Sequence, residues 1–231
     1  MSKTYRIAGL SVKMATYGRT EAQSRPYLVD ISEPVDIVIE QDPERIKRMY
    51  PRLSDEDCEY LATGSDFYAK LLAFNGFRLH SSAIVVDGIA YLFSATSGTG
   101  KSTHTNLWLK LFGDRAFILN DDKPALRLED GVWYAYGTPW SGKTPCYKNE
   151  VVPLKAVVRL SQAPYNKIVR HSPLQAYASL MPSCSCMRWD RTSTSALHST
   201  VEDVISKVRC WHLECLPDAD AARICHEAVT K

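Results

Sequence analysis

The stretch Ala95-Thr-Ser-Gly-Thr-Gly-Lys-Ser102 decides the fold class, because it follows a β-rich segment and precedes a segment with helical patterning. It matches the phosphate-binding loop pattern Gly-x-x-x-x-Gly-Lys-Ser/Thr, with Ala95 at a first position that tolerates a small side chain. Gly98 and Gly100 allow the backbone turn that points successive N–H groups at one anion. The helix predicted over residues 102–111 adds the partial positive charge of its N-terminus.

The same loop predicts a site for nucleotide phosphates and Mg²⁺. Lys101 supplies a full charge to the β- and γ-phosphates, and the Ser102 hydroxyl is placed to bind Mg²⁺. Two other interpretations remain: a chance glycine-rich turn, and a retained loop that has lost its activity. We expect nucleotide contacts from seven consecutive residues, which are Ser97, Gly98, Thr99, Gly100, Lys101, Ser102 and Thr103.

A second element, Ala116-Phe-Ile-Leu-Asn-Asp-Asp122, is an apolar strand that ends in two carboxylates. It resembles a Walker B strand, whose terminal Asp holds Mg²⁺ directly or through water. One of Asp121 and Asp122 is expected to serve the metal and the other to accept a proton from the attacking hydroxyl, in either order. The alternative is an ordinary surface turn, which Asn and Asp favour.

The remaining pattern mixes strands with helices. Asp87-Gly88 and Asp130-Gly131 predict two-residue hairpins, joining strands 82–86 to 89–93 and 125–129 to 132–136. A mixed α/β fold with a mixed sheet follows from this arrangement. Further strands are predicted at 34–40, 154–160 and 210–215, and helices at 43–50, 54–61, 67–74 (ended by Gly76), 173–180, 200–208 and 218–229.

Composition limits the class of protein. The 231 residues include 28 Lys and Arg against 26 Asp and Glu, a net charge of +2, which does not favour nucleic acid or a membrane surface as partner. No apolar run approaches the ~18 residues of a membrane span. The first residues lack the apolar core of a secretion signal, so we expect a cytoplasmic protein. No linker is visible, and we expect one domain over 1–231, with portions 1–78, 79–160 and 161–231.

Seven cysteines without an export signal predict reduced thiols and not a disulfide framework. A zinc site is the alternative use of the C-terminal cluster. Its spacing does not fit two ligand pairs, and buried thiols are therefore the favoured interpretation. The cluster consists of Cys184, Cys186, Cys210, His212, Cys215, Cys225 and His226.

Four features in this order resemble a known family: His80 at a strand start, the Asp87-Gly88 hairpin, the loop ending at Ser102, and the Asp pair that follows. They are similar to the catalytic domain of HPr kinase/phosphorylase, in the phosphoenolpyruvate-carboxykinase-like branch of P-loop proteins. The resemblance covers residues 79 to about 142, and the C-terminal tail resembles bacterial relatives of this kinase more than the kinase itself.

The resemblance implies a P-loop fold whose mixed sheet is flanked by helices, ATP and Mg²⁺ as cofactors, and phosphoryl transfer to a hydroxyl. It also implies that His80 lies near the γ-phosphate; the alternative is a purely structural role for His80. A homo-oligomer is a further expectation from the resemblance. The Arg-Gly-Leu-Gly signature that the family links to phosphorylase activity and hexamer contacts is not evident. HPr is for that reason not the expected substrate.

The expected function is an ATP/Mg²⁺-dependent kinase acting on a hydroxyl of a protein, a peptide or a small molecule. The alternatives are a nucleotide sensor without turnover and a small carboxykinase-like enzyme using His80, Lys123 and Arg159. In the stretch Gly137-Thr-Pro-Trp-Ser-Gly-Lys143, Trp140 could stack on a substrate and Lys143 could reach an anion; the alternative is a structural turn. Lys123 is a further substrate candidate, and Arg159 and Arg170 are candidate transition-state cations.

Overall fold

A small sheet near the N-terminus opens the fold. The computed structural model describes residues 2–30, 34–142, 144–184 and 190–231. Strand β2 (Leu10–Met14) is antiparallel to β1 (Lys3–Ile7) and parallel to β3 (Ile37–Val38). The strand predicted over 34–40 is thus reduced to two residues. The Asp36 N–H donates to the Ser11 carbonyl oxygen (2.9 Å), but the Asp36 carboxylate and not its carbonyl oxygen accepts the Ser11 N–H (2.7 Å), so regular pairing does not extend to this residue.

The N-terminal part also contains three helices; the starts of the second and third agree with the sequence, and the first was not predicted. Helix α1 spans Gly18–Ser24, α2 spans Pro43–Met49 and α3 spans Asp55–Leu71. The Asp42 side chain accepts the Arg45 N–H at the start of α2, and the Ser54 hydroxyl accepts the Asp57 N–H at the start of α3. Both caps were expected from the sequence.

The two helices predicted over 54–61 and 67–74 are wrong as separate elements, because α3 is continuous. Gly64 lies in its middle and does not break it. A Cβ atom at Gly64 would lie 2.8 Å from Cδ1 of Trp140, so the glycine is needed for close packing. Gly76 is not the helix cap either: Asn75 adopts the left-handed conformation (φ +54°), and Gly76 begins the next strand.

Within the described residues, nine strands form one large mixed sheet. The strands are β4 (Gly76–Arg78), β5 (Ser81–Val86), β6 (Ile89–Ser94), β7 (Ala116–Asp122), β8 (Ala125–Glu129), β9 (Val132–Tyr136), β10 (Val151–Gln162), β11 (Lys167–Arg170) and β12 (Arg209–Cys215). Their order is β4-β8-β9-β10-β6-β5-β7, and β12 pairs with β10 and with β11.

The sheet confirms the predicted mixed α/β class. Both hairpins form, and Asp87 (φ +49°) and Asp130 (φ +48°) are left-handed as two-residue turns of this kind require. Strand β5 lies between β6 and β7 and is antiparallel to both. Strands β6, β10 and β12 are parallel, so their carboxyl ends lie on one side of the sheet.

Helices cover both faces of this sheet. Helices α4 (Lys101–Phe112) and α7 (Ala219–Thr230) share one buried cluster with the sheet, and α5 (Pro173–Leu180) and α6 (Arg191–Lys207) share another. Helix α6 begins well before the predicted residue 200, because Asp190 caps it by accepting the N–H groups of Thr192 and Ser193. None of the helices in the described ranges is both long and apolar enough to cross a membrane.

A third buried cluster joins the N-terminal sheet to the large one. It contains residues of β1, β2 and α3 together with Tyr136 and Trp140. The N-terminal elements therefore pack against the segment that follows β9. Four of the cysteines, Cys58, Cys184, Cys210 and Cys225, are buried free thiols, and Cys186 lies outside the described residues.

Candidate functional site

The glycine loop, residues 95–102, connects β6 to α4 at the carboxyl end of β6. Gly98 (φ +80°) and Gly100 (φ +109°) both have the left-handed backbone that glycine adopts without strain. Helix α4 starts at Lys101, and its N-cap residue, Gly100, has no side chain to cap the first N–H groups. Those N–H groups and the positive end of the helix are available to an anion in the loop.

The start of α4 lies against the end of β7. The Ser102 hydroxyl donates to Asp121, with Oγ 3.0 Å from Oδ2 and 3.3 Å from Oδ1. Strand β5 sets this distance, because Ser82 pairs with Asp121 in the sheet and its hydroxyl contacts Thr105 of α4 (3.3 Å). The structure thus brings together the loop hydroxyl and one carboxylate of the predicted pair.

The second carboxylate points to His80. Nε2 of His80 lies 2.8 Å from Oδ1 of Asp122, and Nζ of Lys123 lies 3.7 Å from Oδ2. His80 is itself held by its backbone N–H, which donates to the carbonyl oxygen of Ser183 (2.8 Å). Asp122 has φ +97°, an unusual backbone conformation for a residue other than glycine. Such strain is concentrated at functional sites.

Charge and burial act against each other at these groups. Burial alone would raise the pKa of Asp122, but the hydrogen bond from His80 and the charge of Lys123 outweigh it and lower that pKa. Burial lowers the pKa of Lys101, and the carboxylates of Asp122 and Asp121 oppose the shift. Asp122 is therefore ionised at neutral pH, and its charge interacts with those of Lys123 and Lys101.

The segment after β9 is hydrogen-bonded to the end of β7, which carries the two carboxylates. The Gly142 N–H donates to the carbonyl oxygen of Asp121 (2.8 Å), and the Asp121 N–H donates to that of Cys146 (2.9 Å). Buried Asn120 donates to the carbonyl oxygens of Thr138 (3.0 Å) and Trp140 (3.2 Å). The end of β7 and this segment are thus held as one unit.

The prediction that Trp140 stacks on a substrate is wrong. Its side chain is fully buried, stacked on Phe67 with ring centroids 4.9 Å apart, and its indole N–H donates to the Thr63 hydroxyl (3.2 Å). The ring is used to pack α3 against the segment after β9. Lys143, the other candidate in this stretch, lies outside the described residues.

Of the other predicted cations, Lys123 and Arg159 lie at the site and Arg170 does not. Lys123 has little exposed surface; besides its contact with Asp122, it lies 4.9 Å from the ring centroid of Tyr60. Arg159 lies on β10 and lines a cavity with the glycine loop. Arg170 ends β11 and lines a different cavity, away from the loop.

Two cavities border the glycine loop on the side of β10. The first, of about 460 Å³, is lined by the loop's first half, the carboxyl end of β10 and His212 in the middle of β12. The second, of about 410 Å³, is lined by the loop's second half and has apolar walls from Leu107, Leu160 and Leu216. Thr103, a predicted nucleotide contact, lines only the second of these cavities.

Several residues at the site were not expected from the sequence. Arg19 of α1 donates to the Gly142 carbonyl oxygen (2.6 Å) and lies 4.0 Å above the Tyr60 ring. The Tyr60 hydroxyl donates to the carbonyl oxygen of Ser141 (2.6 Å). The sequence points to His212 only as a possible metal ligand, whereas in the structure it contacts Ser161 beside the loop. These contacts join distant parts of the chain, and no local pattern in the sequence indicates them.

Comparisons with known proteins find similarity to solved structures but not to sequence families. No family model matches the sequence, and no curated protein matches it. Among solved structures, the HPr(Ser) kinase/phosphatase from Coxiella burnetii matches 66% of this chain and 93% of its own chain, at 10% identity and a TM-score of 0.37. The similarity is distant, so the case for a function comes from this chain's own residues.

Proposed function

We propose that the chain is an ATP- and Mg²⁺-dependent kinase that transfers the γ-phosphoryl group to the hydroxyl of a protein, peptide or small molecule. The observation that carries this proposal is a pair of contacts beside the glycine loop. Ser102 lies 3.0 Å from Asp121, and His80 lies 2.8 Å from Asp122. The two adjacent carboxylates therefore have different partners. This difference suits a division of roles in which Asp121 helps to bind the metal and Asp122 accepts a proton.

The residues around the loop fit a nucleotide. The uncapped N-terminus of α4 and Lys101 supply positive charge to the phosphates. The Asp pair marks the end of the loop at which the γ-phosphate would lie, so the nucleoside would extend the other way, past Thr103. The cavity of about 410 Å³ with apolar walls lies there and is large enough for it.

The donor set at Ser102 and Asp121 fits Mg²⁺. A hydroxyl and a carboxylate are the hard oxygen ligands that this ion prefers, and Mg²⁺ takes the rest of its ligands from phosphates and water. In the described part of the chain, no group of three or more His, Cys, Asp or Glu side chains could hold a metal without such help. When bound, Mg²⁺ would neutralise charge on the transferred phosphoryl group.

Asp122 is the better candidate for the base. Its carboxylate is ionised and is oriented by His80 and Lys123, so one oxygen can accept the proton of an acceptor hydroxyl. Lys101 would stabilise negative charge on the phosphate oxygens. Because transfer of this kind depends mainly on positioning, the hydrogen bonds that hold Asn120 and Asp122 are part of the catalytic arrangement.

The test is Mg²⁺-dependent ATP binding and hydrolysis by Lys101→Ala, with Lys110→Ala as control. Lys110 is exposed in the last turn of the same helix. Loss of the loop's charge should weaken ATP binding by about 10- to 100-fold, and the control should bind normally. Unchanged turnover in Lys101→Ala would contradict the proposal. Tight binding without turnover in the unaltered protein would instead favour a nucleotide sensor.

A further inference from the structure

The cavity of about 460 Å³ beside the loop has an unusual chemical character. Its far wall is formed by the carboxyl end of β10 and by His212 of the parallel strand β12, which is paired with Arg159 in the sheet. Of the described residues that line it, none is Asp or Glu, whereas Arg159, Ser161 and His212 all offer polar groups. A cavity with cationic and neutral walls favours an anionic occupant.

Arg159 has no counter-ion among the residues that the structure describes. Its one side-chain hydrogen bond within them goes from Nη1 to the neutral Ser183 hydroxyl (3.3 Å), and no carboxylate in those residues pairs with it. Partial burial lowers its pKa, but a guanidinium remains charged in proteins. A planar cation in this state is suited to bind a carboxylate through two parallel hydrogen bonds.

A second group of donors lies beside Arg159. Nε2 of His212 shares a hydrogen bond with the Ser161 hydroxyl, and the His171 ring lies 5.7 Å from that of His212. Burial, and then the neighbouring His212, lower the pKa of His171. His171, Ser161 and His212 have no role in the phosphotransfer chemistry proposed above, and Ser161 also lines the neighbouring cavity of about 410 Å³.

Ser183 connects this cavity to the proposed base. Its hydroxyl accepts from Arg159, and its carbonyl oxygen accepts from the backbone of His80 (2.8 Å), which in turn holds Asp122. A path of hydrogen bonds therefore runs from Arg159 through Ser183 and His80 to Asp122. In-line transfer requires the acceptor hydroxyl to lie beside Asp122, at the end of this path.

We propose that this cavity is the acceptor subsite and that it selects a small hydroxy acid, whose carboxylate binds Arg159 and the Ser161–His212 pair. This inference rests on the proposed kinase function. The acceptor's O–H proton passes to Asp122 while its oxygen bonds to the γ-phosphorus and the bond to the ADP oxygen breaks. The products are ADP and a phosphate monoester of the hydroxy acid. The volume suits a small molecule of this kind.

Binding of glycerate, L-malate and L-serine tests the inference, with glycerol as the probe that lacks a carboxylate. Titrations in the presence of Mg²⁺ and a non-hydrolysable ATP analogue are followed through the histidine ring signals of His171 and His212 in NMR spectra. The variants are Arg159→Gln and, as a control, Arg170→Gln, an arginine that lines another cavity.

At least one hydroxy acid should bind the unaltered protein and Arg170→Gln, whereas glycerol should not. Arg159→Gln should weaken that binding about tenfold or more and change the affinity for the ATP analogue by a much smaller factor. Failure of all three acids to bind, equal binding by Arg159→Gln, or a loss of ATP affinity in that variant as large as its loss of acid affinity would overturn the inference.

Failure of the kinase proposal gives a different result. In that case Lys101→Ala would bind ATP and hydrolyse it like the unaltered protein, whatever the hydroxy acids do. Transfer from ATP to the acid that binds, measured as formation of its phosphate ester by ³¹P NMR, should exceed transfer to glycerol. Equal rates with glycerol would overturn the acceptor assignment and leave the kinase proposal in place.

Discussion

Replacing Glu59 by Gln should stabilise the protein at pH 8 and change its stability little at pH 5. Glu59 is a fully buried residue of α3; one carboxylate oxygen accepts the Thr20 hydroxyl, and the other has no partner in the described residues. Burial raises its pKa from the ordinary 4.5 to about 7, and the hydrogen bond from Thr20 only partly opposes this.

The size of the effect follows from the shift in pKa. Because the pKa is raised in the folded state, ionisation disfavours folding, and stability falls as the pH rises from 4.5 towards 7. The full cost at pH 8 is about 3 kcal/mol, an upper limit if water reaches the carboxylate. At pH 5 the cost is below about 1 kcal/mol. Gln is neutral at both values and can still accept from Thr20.

Urea unfolding followed by tryptophan fluorescence, at pH 5 and pH 8, measures the difference between Glu59→Gln and the unaltered protein. Comparing the two proteins at each pH cancels the titration of all other groups. Glu202→Gln is the control, an exposed position in the middle of α6 that should change stability by less than about 0.5 kcal/mol at either pH. A gain for Glu59→Gln that is no larger at pH 8 than at pH 5 would refute the reasoning.

Further predictions concern the carboxylate pair and Trp140. Asp122→Asn should bind MgATP normally and lose about 10²- to 10⁴-fold in single-turnover hydrolysis, whereas Asp121→Asn should weaken Mg²⁺-dependent binding about tenfold. Full rates in both variants would contradict these roles. Trp140→Ala should cost about 3–5 kcal/mol in urea unfolding, because it empties a buried site beside Phe67. Trp140→Phe should leave MgATP affinity unchanged, and a large loss of affinity would restore a substrate role.

The sequence predicts the features that depend on neighbouring residues. The hairpin at Asp87-Gly88 forms because two left-handed residues match the twist of the flanking strands. The caps at Asp42 and Ser54 form for an equally local reason. Gly98 and Gly100 adopt the conformations that the loop pattern requires. In each case the residues that decide the structure lie within a few positions of one another.

Features that depend on distant residues could not be predicted in this way. Gly64 lies between the two helices that the sequence predicts, within what is one continuous helix. Its lack of a side chain makes room for Trp140, seventy-six positions later in the chain. The same contact buries Trp140, so its ring cannot contact a substrate. Similarly, the choice between Arg159 and Arg170 depends on the parallel pairing of β10 with β12, which local patterns do not specify.

The two carboxylates show how local pattern and distant contacts combine. In a regular strand, consecutive side chains point to opposite faces, so Asp121 and Asp122 should not serve one site. The φ of +97° at Asp122 interrupts the alternation just as β7 ends. Asn120 holds that conformation, because its Oδ1 accepts the Lys123 N–H (2.9 Å) while its amide donates to Thr138. A buried amide thus lets Asp121 contact Ser102 and Asp122 contact His80 within the same site.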